Sequence, residues 1–144
     1  MKVLVDTNVL ATGWVGGPLD LKTPPAQIWR VWKQGRFRLL VSEHVLNELR
    51  DTLERPWFAS RTTYQERKDL LLDILEYGTE IEIKVDIQKV ARHWQDDLVL
   101  VAAISGNAHY LVTGDAEFRR VDEYQGVKIR TPSEFLIEID KHPG

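Results

Sequence analysis

The chain has 144 residues, of which 43% are hydrophobic and 28% charged, a balance typical of one globular domain with a sizeable core. It contains no cysteine, which excludes disulfides, thiolate metal sites and cysteine nucleophiles. The formal net charge of −3 argues mildly against a sequence-independent nucleic-acid binder, although a nuclease whose acids bind metal ions remains compatible with it.

No apolar run approaches the length that crosses a membrane, and the start of the chain has no signal-peptide pattern. We therefore expect a cytoplasmic protein. No repeat or long linker divides the chain, so we expect one domain over residues 1–140, followed by a short tail over residues 141–144.

The first predicted strand covers residues 3–5, a buried-type apolar run without polar alternation, as in the centre of a parallel sheet. The further elements alternate between helix and strand. They are a Gly- and Pro-rich loop over 11–25, a helix from Pro24 to about 34, a strand over 37–41, a helix capped by Ser42 and ending near 53, a helix over 64–77, a strand over 80–83, helices over 86–94 and 98–107, strands over 110–113 and 127–129, and a helix over 132–139 capped by Thr131. This alternation predicts an α/β fold, a parallel sheet with helices on both faces.

Four acidic residues stand at strand ends or at helix starts beside them. Asp6 follows the first strand and Asp115 the fourth. Glu48 lies about one and a half turns into the helix after the second strand, and Asp96 stands at the head of the helix over 98–107. Taken singly, each is better explained as a cap, a turn residue or an exposed glutamate. Taken together, they favour a shared carboxylate site, because open α/β sheets bind ligands at the carboxyl ends of their strands.

A cluster of carboxylates makes physical sense only with a cation, because close carboxylates repel and would otherwise protonate. Oxygen ligands without cysteine suit Mg²⁺ or Mn²⁺, and such ions can activate water against a phosphodiester. Asn8 and Thr113, which lie beside two of the acids, would then hold carboxylate oxygens in place.

Four segments carry a family resemblance, in this order along the chain. They are Val-Asp-Thr-Asn at 5–8, Ser-Glu-His-Val-Leu-Asn-Glu-Leu-Arg at 42–50, Asp-Asp-Leu-Val-Leu-Val-Ala-Ala at 96–103 and Tyr-Leu-Val-Thr-Gly-Asp at 110–115. Together they resemble the PIN-domain nucleases, and most closely the VapC-like toxins of toxin–antitoxin systems. The resemblance covers nearly the whole chain, from residue 2 to residue 139.

The resemblance implies a three-layer α/β/α, Rossmann-like PIN fold with a five-stranded parallel sheet, frequent homodimers, and an antitoxin protein as a candidate partner. It also implies that the four acids bind Mg²⁺ or Mn²⁺ and cut RNA. The third acid is assigned to Asp96 and not to Asp97, because the resemblance places it seven residues before a helix alanine, here Ala103. The residues expected to support these ligands are Asn8, Thr113, Ser42, Asp97 and Glu117.

Basic and aromatic residues after Glu48 indicate a surface for RNA. Arg50 and Arg55 lie close in sequence to Trp57, and this mixture suits phosphate contact and base stacking. Arg119 and Arg120, just after Asp115, are a second candidate for phosphate contact. The alternative is that the aromatic residues pack under a loop while the arginines form a solvated helix face.

Two other functions stay open. A degenerate module would keep the fold and bind RNA or a protein partner without cleavage, although the presence of all four acids argues against it. A phosphoacceptor receiver domain also places acids at strand ends. That fold requires an early acid pair, whereas Asp6 stands without an acidic neighbour.

Overall fold

The computed structural model describes residues 1–16, 23–83, 94–115, 118 and 121–141, and within these it gives only the backbone of residues 16 and 94–97. The strands are β1 (Lys2–Val5), β2 (Arg38–Val41), β3 (Thr79–Glu80), β4 (Tyr110–Val112), β5 (Glu123–Tyr124) and β6 (Val127–Arg130). The helices are α1 (Thr7–Gly16), α2 (Pro24–Lys33), α3 (Glu43–Leu53), α4 (Pro56–Ala59), α5 (Tyr64–Tyr77), α6 (Trp94–Ser105) and α7 (Pro132–Asp140). Across these residues, none of the helices combines the length and the apolar character needed to cross a membrane.

The strands form one sheet in the order β3-β2-β1-β4-β6-β5. All neighbours pair in parallel except β5, which pairs with β6 in the antiparallel sense. The predicted five-stranded parallel sheet is confirmed, and β5 adds a short edge strand that was not predicted. Because β1 lies between β2 and β4, the order differs from that of receiver domains, in which β1 lies between β2 and β3. The receiver-domain alternative is therefore wrong.

The sheet is covered by helices on both faces, which confirms the three-layer prediction. Val3 and Val5 of β1 point into a core formed with α1, α2, α3, α5 and α7. Leu4 points to the opposite face, where it packs against the apolar side of α6. All three side chains are buried, which explains why β1 reads as an unbroken apolar run instead of an alternating one.

The loop predicted over residues 11–25 is wrong for residues 11–16, which continue helix α1. Glycine suggested a loop, but Gly13 lies where α1 crosses α2, and a Cβ atom there would lie 2.4 Å from the carbonyl oxygen of Pro25. The Trp29 indole N–H donates to the Leu10 carbonyl oxygen across the same contact, at 2.9 Å. The glycine therefore serves close helix packing and not a turn.

Three smaller boundaries also differ from the predictions. The third strand covers Thr79–Glu80 and not residues 80–83. The short helix α4, which begins at Pro56, was not predicted. Helix α6 begins at Trp94, before the predicted residue 98. Most of the helix predicted over residues 86–94 lies outside the described residues.

Candidate active site

Asp6 is fixed at the carboxyl end of the central strand. Its backbone N–H donates to the carbonyl oxygen of Val112 in β4, at 2.8 Å. Its own carbonyl oxygen accepts hydrogen bonds from Val9 and Leu10, both at 3.1 Å, as helix α1 begins. The strand, its neighbour and the helix start therefore determine together where the Asp6 carboxylate lies.

Thr113 links Asp6 to Asp115. Its side chain is fully buried at the end of β4, and its hydroxyl donates to Oδ2 of Asp6 at 2.9 Å. The same oxygen accepts the backbone N–H of Asp115 at 3.1 Å. One hydroxyl thus contacts two of the four acidic residues. Support of a metal ligand by Thr113 stays a prediction, but the contact it requires is present.

The electrostatics of Asp6 connect it with two other acids. Burial raises the pKa of the Asp6 carboxyl above its ordinary value of 3.8, and the nearby Glu48 and Asp115 carboxylates add to the rise. The hydrogen bonds from the Thr113 hydroxyl and the Thr7 backbone N–H oppose this shift without cancelling it. Glu48 and Asp115 therefore lie near enough to Asp6 to act on its charge, and their joint binding of a metal ion stays a prediction.

Helix α3 carries Glu48 into this neighbourhood. The buried Ser42 hydroxyl accepts the Val45 N–H at 3.1 Å and so caps α3 where β2 ends. Ser42 as a support for the ligands stays a prediction. His44 Nε2 lies 3.5 Å from Glu48 Oε2, a contact that was not predicted. Their spacing of four residues on a helix was the signal that would have found it.

The described side chains alone do not form a complete metal-binding site. Within the described part of the chain, no three His, Asp or Glu side chains are close enough together to hold an ion. Asp96 and Asp97 lie in the first turn of α6, but their side chains fall outside the description, as does Glu117 entirely. The described donors still fit a hard divalent cation, since they are carboxylates and since the desolvated Asp6 has two acidic neighbours whose repulsion a cation would relieve.

The predicted RNA-contacting residues are only partly described. Arg50 is exposed, donates to Oδ1 of Asn47 at 2.6 Å and borders a groove of about 260 Å³ between α3 and α5. Arg55 is exposed at the start of α4. Arg119 and Arg120 lie outside the described residues. Asn8, predicted to support the ligands, has an exposed side chain on α1.

The two aromatic residues of α4, Trp57 and Phe58, differ in their surroundings. Phe58 packs against the core, as the structural explanation requires. Trp57 is 52% exposed, and the Arg61 guanidinium lies 4.1 Å from the centre of its ring. Trp57 therefore stays available for stacking contacts.

Comparison with known families and solved structures found similar proteins. The family described as the PIN domain matches residues 2–117. A chain in the crystal structure of VapBC2 from Rickettsia felis bound to a DNA fragment from their promoter has a similar fold, with a TM-score of 0.55 and 20% identity over 91% of this chain and 98% of that chain. A search of curated proteins gave no match.

Proposed function

The chain belongs to the PIN domain family, and from this membership we propose that it is an endoribonuclease that requires Mg²⁺ or Mn²⁺ and hydrolyses RNA phosphodiester bonds. PIN domains are typically nucleases that use divalent metal ions. The observation that carries the proposal is the contact of one buried hydroxyl, that of Thr113, with both Asp6 and the backbone of Asp115. Glu48, which lies on α3, contributes to the raised pKa of the Asp6 carboxyl.

We assign the metal ligands to Asp6, Glu48, Asp96 and Asp115. A divalent cation bound there would give water hydroxide character and would stabilise the charge that develops on the phosphodiester. Asp96 is included because the family resemblance places this acid seven residues before Ala103, and the structure puts it in the first turn of α6.

The other residues at this edge of the sheet would position the ligands. Thr113 restrains the Asp6 carboxylate through Oδ2, so that less orientational freedom is lost when an ion binds. Ser42 fixes the start of the helix that carries Glu48. Asn8, Asp97 and Glu117 are proposed as further supports.

Phosphate contact is assigned to Arg50, Arg55, Arg119 and Arg120. The exposed positions of Arg50 and Arg55 support their part of this assignment. Exposed Trp57, with Arg61 against its ring, offers a face on which an unpaired base could stack.

We also propose that the chain is the toxin of a type II toxin–antitoxin pair, with an antitoxin protein as its partner. The similar fold was solved as VapBC2 bound to promoter DNA, which supports this assignment. A homodimer is proposed as well. It is supported by the exposed apolar side chains of Leu72 and Leu75 on α5.

Cleavage of a mixed RNA substrate tests the catalytic proposal. Wild-type protein is compared with Asp6→Asn, in Mg²⁺ or Mn²⁺ and in EDTA, and Asp51→Asn serves as the control because Asp51 is an exposed acid on α3. We expect wild type and Asp51→Asn to cut only with metal, and Asp6→Asn to lose activity at least 100-fold. Equal cleavage by wild type and Asp6→Asn would contradict the assignment.

A binding module without cleavage is the second candidate. It would keep the fold and bind RNA or a protein partner. Calorimetry with Mn²⁺ alone separates the two candidates: an enzyme of narrow specificity binds the ion through Asp6, whereas a degenerate module gives the same heats for wild type and Asp6→Asn.

A further inference from the structure

Arg130, the last residue of β6, is held by an extended set of hydrogen bonds. Its side chain is only 13% exposed, and its Nε donates to Oε1 of Glu138 in α7 at 2.7 Å. Its Nη1 donates to both the side-chain and the backbone oxygens of Asp122, each at 3.0 Å. Since a buried guanidinium is costly unless it is fully paired, this arrangement strongly restrains where β6 ends.

The pairing is between charged groups. Although burial opposes the shift, the Arg130 guanidinium lowers the pKa of the Glu138 carboxyl below its ordinary value. Glu138 in turn raises the pKa of Arg130. The contact is therefore an ion pair at neutral pH, and the loss of either partner would leave a poorly compensated charge in a partly buried position.

The backbone of Arg130 connects this ion pair to the candidate active site. In the β4–β6 register, Arg130 lies opposite Val112, and its carbonyl oxygen accepts the Thr113 N–H at 2.9 Å. Thr113 is the residue whose hydroxyl contacts Asp6 and the Asp115 N–H. Hydrogen bonds joined by the covalent frames of Arg130 and Thr113 thus connect α7 to the acidic residues.

A second arginine contacts α7 separately from this path. Arg36, which precedes β2, donates to Oδ1 of Asp140 at 3.3 Å and to the carbonyl oxygen of Ile139 at 2.9 Å. It therefore contacts the end of α7 without involving Arg130. None of its described hydrogen bonds reaches Thr113 or an acid of the candidate site.

We propose that Arg130 is a positioning residue of the nuclease site. Its ion pairs anchor the end of β6, the anchored strand holds the Thr113 backbone, and Thr113 keeps Asp6 and Asp115 in their relative orientation. The part of this proposal that concerns metal affinity rests on the proposed function. The part that concerns the geometry of Thr113 does not.

Amide hydrogen exchange in the metal-free protein tests the geometry. The variants are Arg130→Met, which keeps the length of the side chain, and Arg36→Met, which removes the other arginine bound to α7. We expect the amides of Thr113 and Asp115 to exchange at least tenfold faster in Arg130→Met, and within twofold of wild type in Arg36→Met. Equal rates at both amides in the two variants would overturn the proposal.

Calorimetry with Mn²⁺ gives the functional readout on the same proteins. Loss of a residue that orients metal ligands typically weakens metal binding by about 10- to 100-fold, so we expect at least a tenfold loss in Arg130→Met and none in Arg36→Met. An equal loss in both would overturn the positioning role, because it would reflect general loosening of α7.

Two further outcomes concern Mn²⁺ binding by wild type and folding of Arg130→Met. If wild type binds no Mn²⁺, the metal-dependent function fails, and hydrogen exchange alone decides the geometric claim. If Arg130→Met does not fold, Glu138→Gln replaces it, because it keeps the shape of the partner side chain and removes its charge. Faster exchange of the Thr113 and Asp115 amides than in Arg36→Met then supports the proposal, and unchanged exchange refutes it.

Discussion

At the scale of single residues, Asp6 is held in an environment that disfavours its charge. Burial and two neighbouring carboxylates raise the pKa of its carboxyl, and the hydrogen bond from Thr113 only partly compensates. Such a residue lowers stability when it is ionised, which is the usual cost of preparing a functional acid. A bound cation would compensate this charge, as the proposed function requires.

Asp6→Asn should therefore stabilise the protein at neutral pH while removing activity. The folded-state pKa of Asp6 lies above its ordinary value of 3.8, so the folded protein prefers the protonated form and loses stability as pH rises through that pKa. We expect the variant to gain about 1 kcal/mol in free energy of unfolding at pH 7. The gain should shrink toward pH 4 in urea titrations. A variant less stable than wild type at pH 7 would contradict this account of the charge.

Thr113→Val tests the hydroxyl that joins two acids. Valine fills the same buried space but cannot donate to Asp6, so the ionised carboxylate loses a hydrogen bond and its pKa should rise further. Mn²⁺ affinity should fall by about 10-fold or more. Thr113→Ser is the control, because it keeps the hydroxyl and should stay within about threefold of wild type. Similar affinities in both variants would exclude a role for the hydroxyl.

At the scale of elements, helices are placed by close contacts as much as by their own propensities. Helix α1 continues to Gly16 although it contains Gly13. The glycine is there because α2 packs directly over it. Glycine signals a turn when only neighbours in sequence are considered. Here glycine is required because a Cβ atom at residue 13 would lie 2.4 Å from the backbone of α2.

Gly13→Ala should destabilise the fold by roughly 1–3 kcal/mol, because the added methyl group would overlap the Pro25 carbonyl and push α1 and α2 apart. The matched control is Thr12→Ala, since Thr12 is exposed on the same helix. Thermal unfolding of the two variants measures the difference. If Gly13→Ala unfolds at the same temperature as Thr12→Ala, the contact between the helices is looser than the structure shows.

At the scale of the whole molecule, strand order brings distant acids together. β1 pairs with β2 on one side and β4 on the other, so Asp6 has Asp115 beyond β4 as one neighbour and Glu48, on the helix after β2, as the other. The three residues come from widely separated parts of the chain. The proximity of Asp115 to Asp6 depends on β4 lying beside β1 and would be lost in a receiver-type order, in which β3 takes that place.

The proposed homodimer gives a prediction at the same scale. Leu72 is 51% exposed on α5, and an aspartate there should prevent burial of this face against a second copy. We expect a dimer for wild type and a monomer for Leu72→Asp by light scattering after size-exclusion chromatography. Ile137→Asp, at an exposed apolar position on α7, is the control and should stay dimeric. A monomeric wild type would refute the dimer.

Local patterns were sufficient for most of the fold. The apolar run of β1, the N-caps Ser42 and Thr131 and the helix over residues 64–77 all depend on residues a few positions apart, and the structure confirms each of them. The placement of acids at strand ends also came from sequence, because strand ends can be read from local pattern. The same patterns failed at Gly13, whose reason lies in another helix.

The detailed arrangement of the site depends on contacts that no local pattern contains. Neither the sharing of one Thr113 hydroxyl between Asp6 and Asp115 nor the anchoring of β6 by Arg130 and Glu138 could be read along the chain. The sequence alone therefore determined the elements and the residues available for chemistry, since propensity and periodicity act over a few residues. Only the tertiary structure decided which of them meet, because strand order and helix packing set those distances.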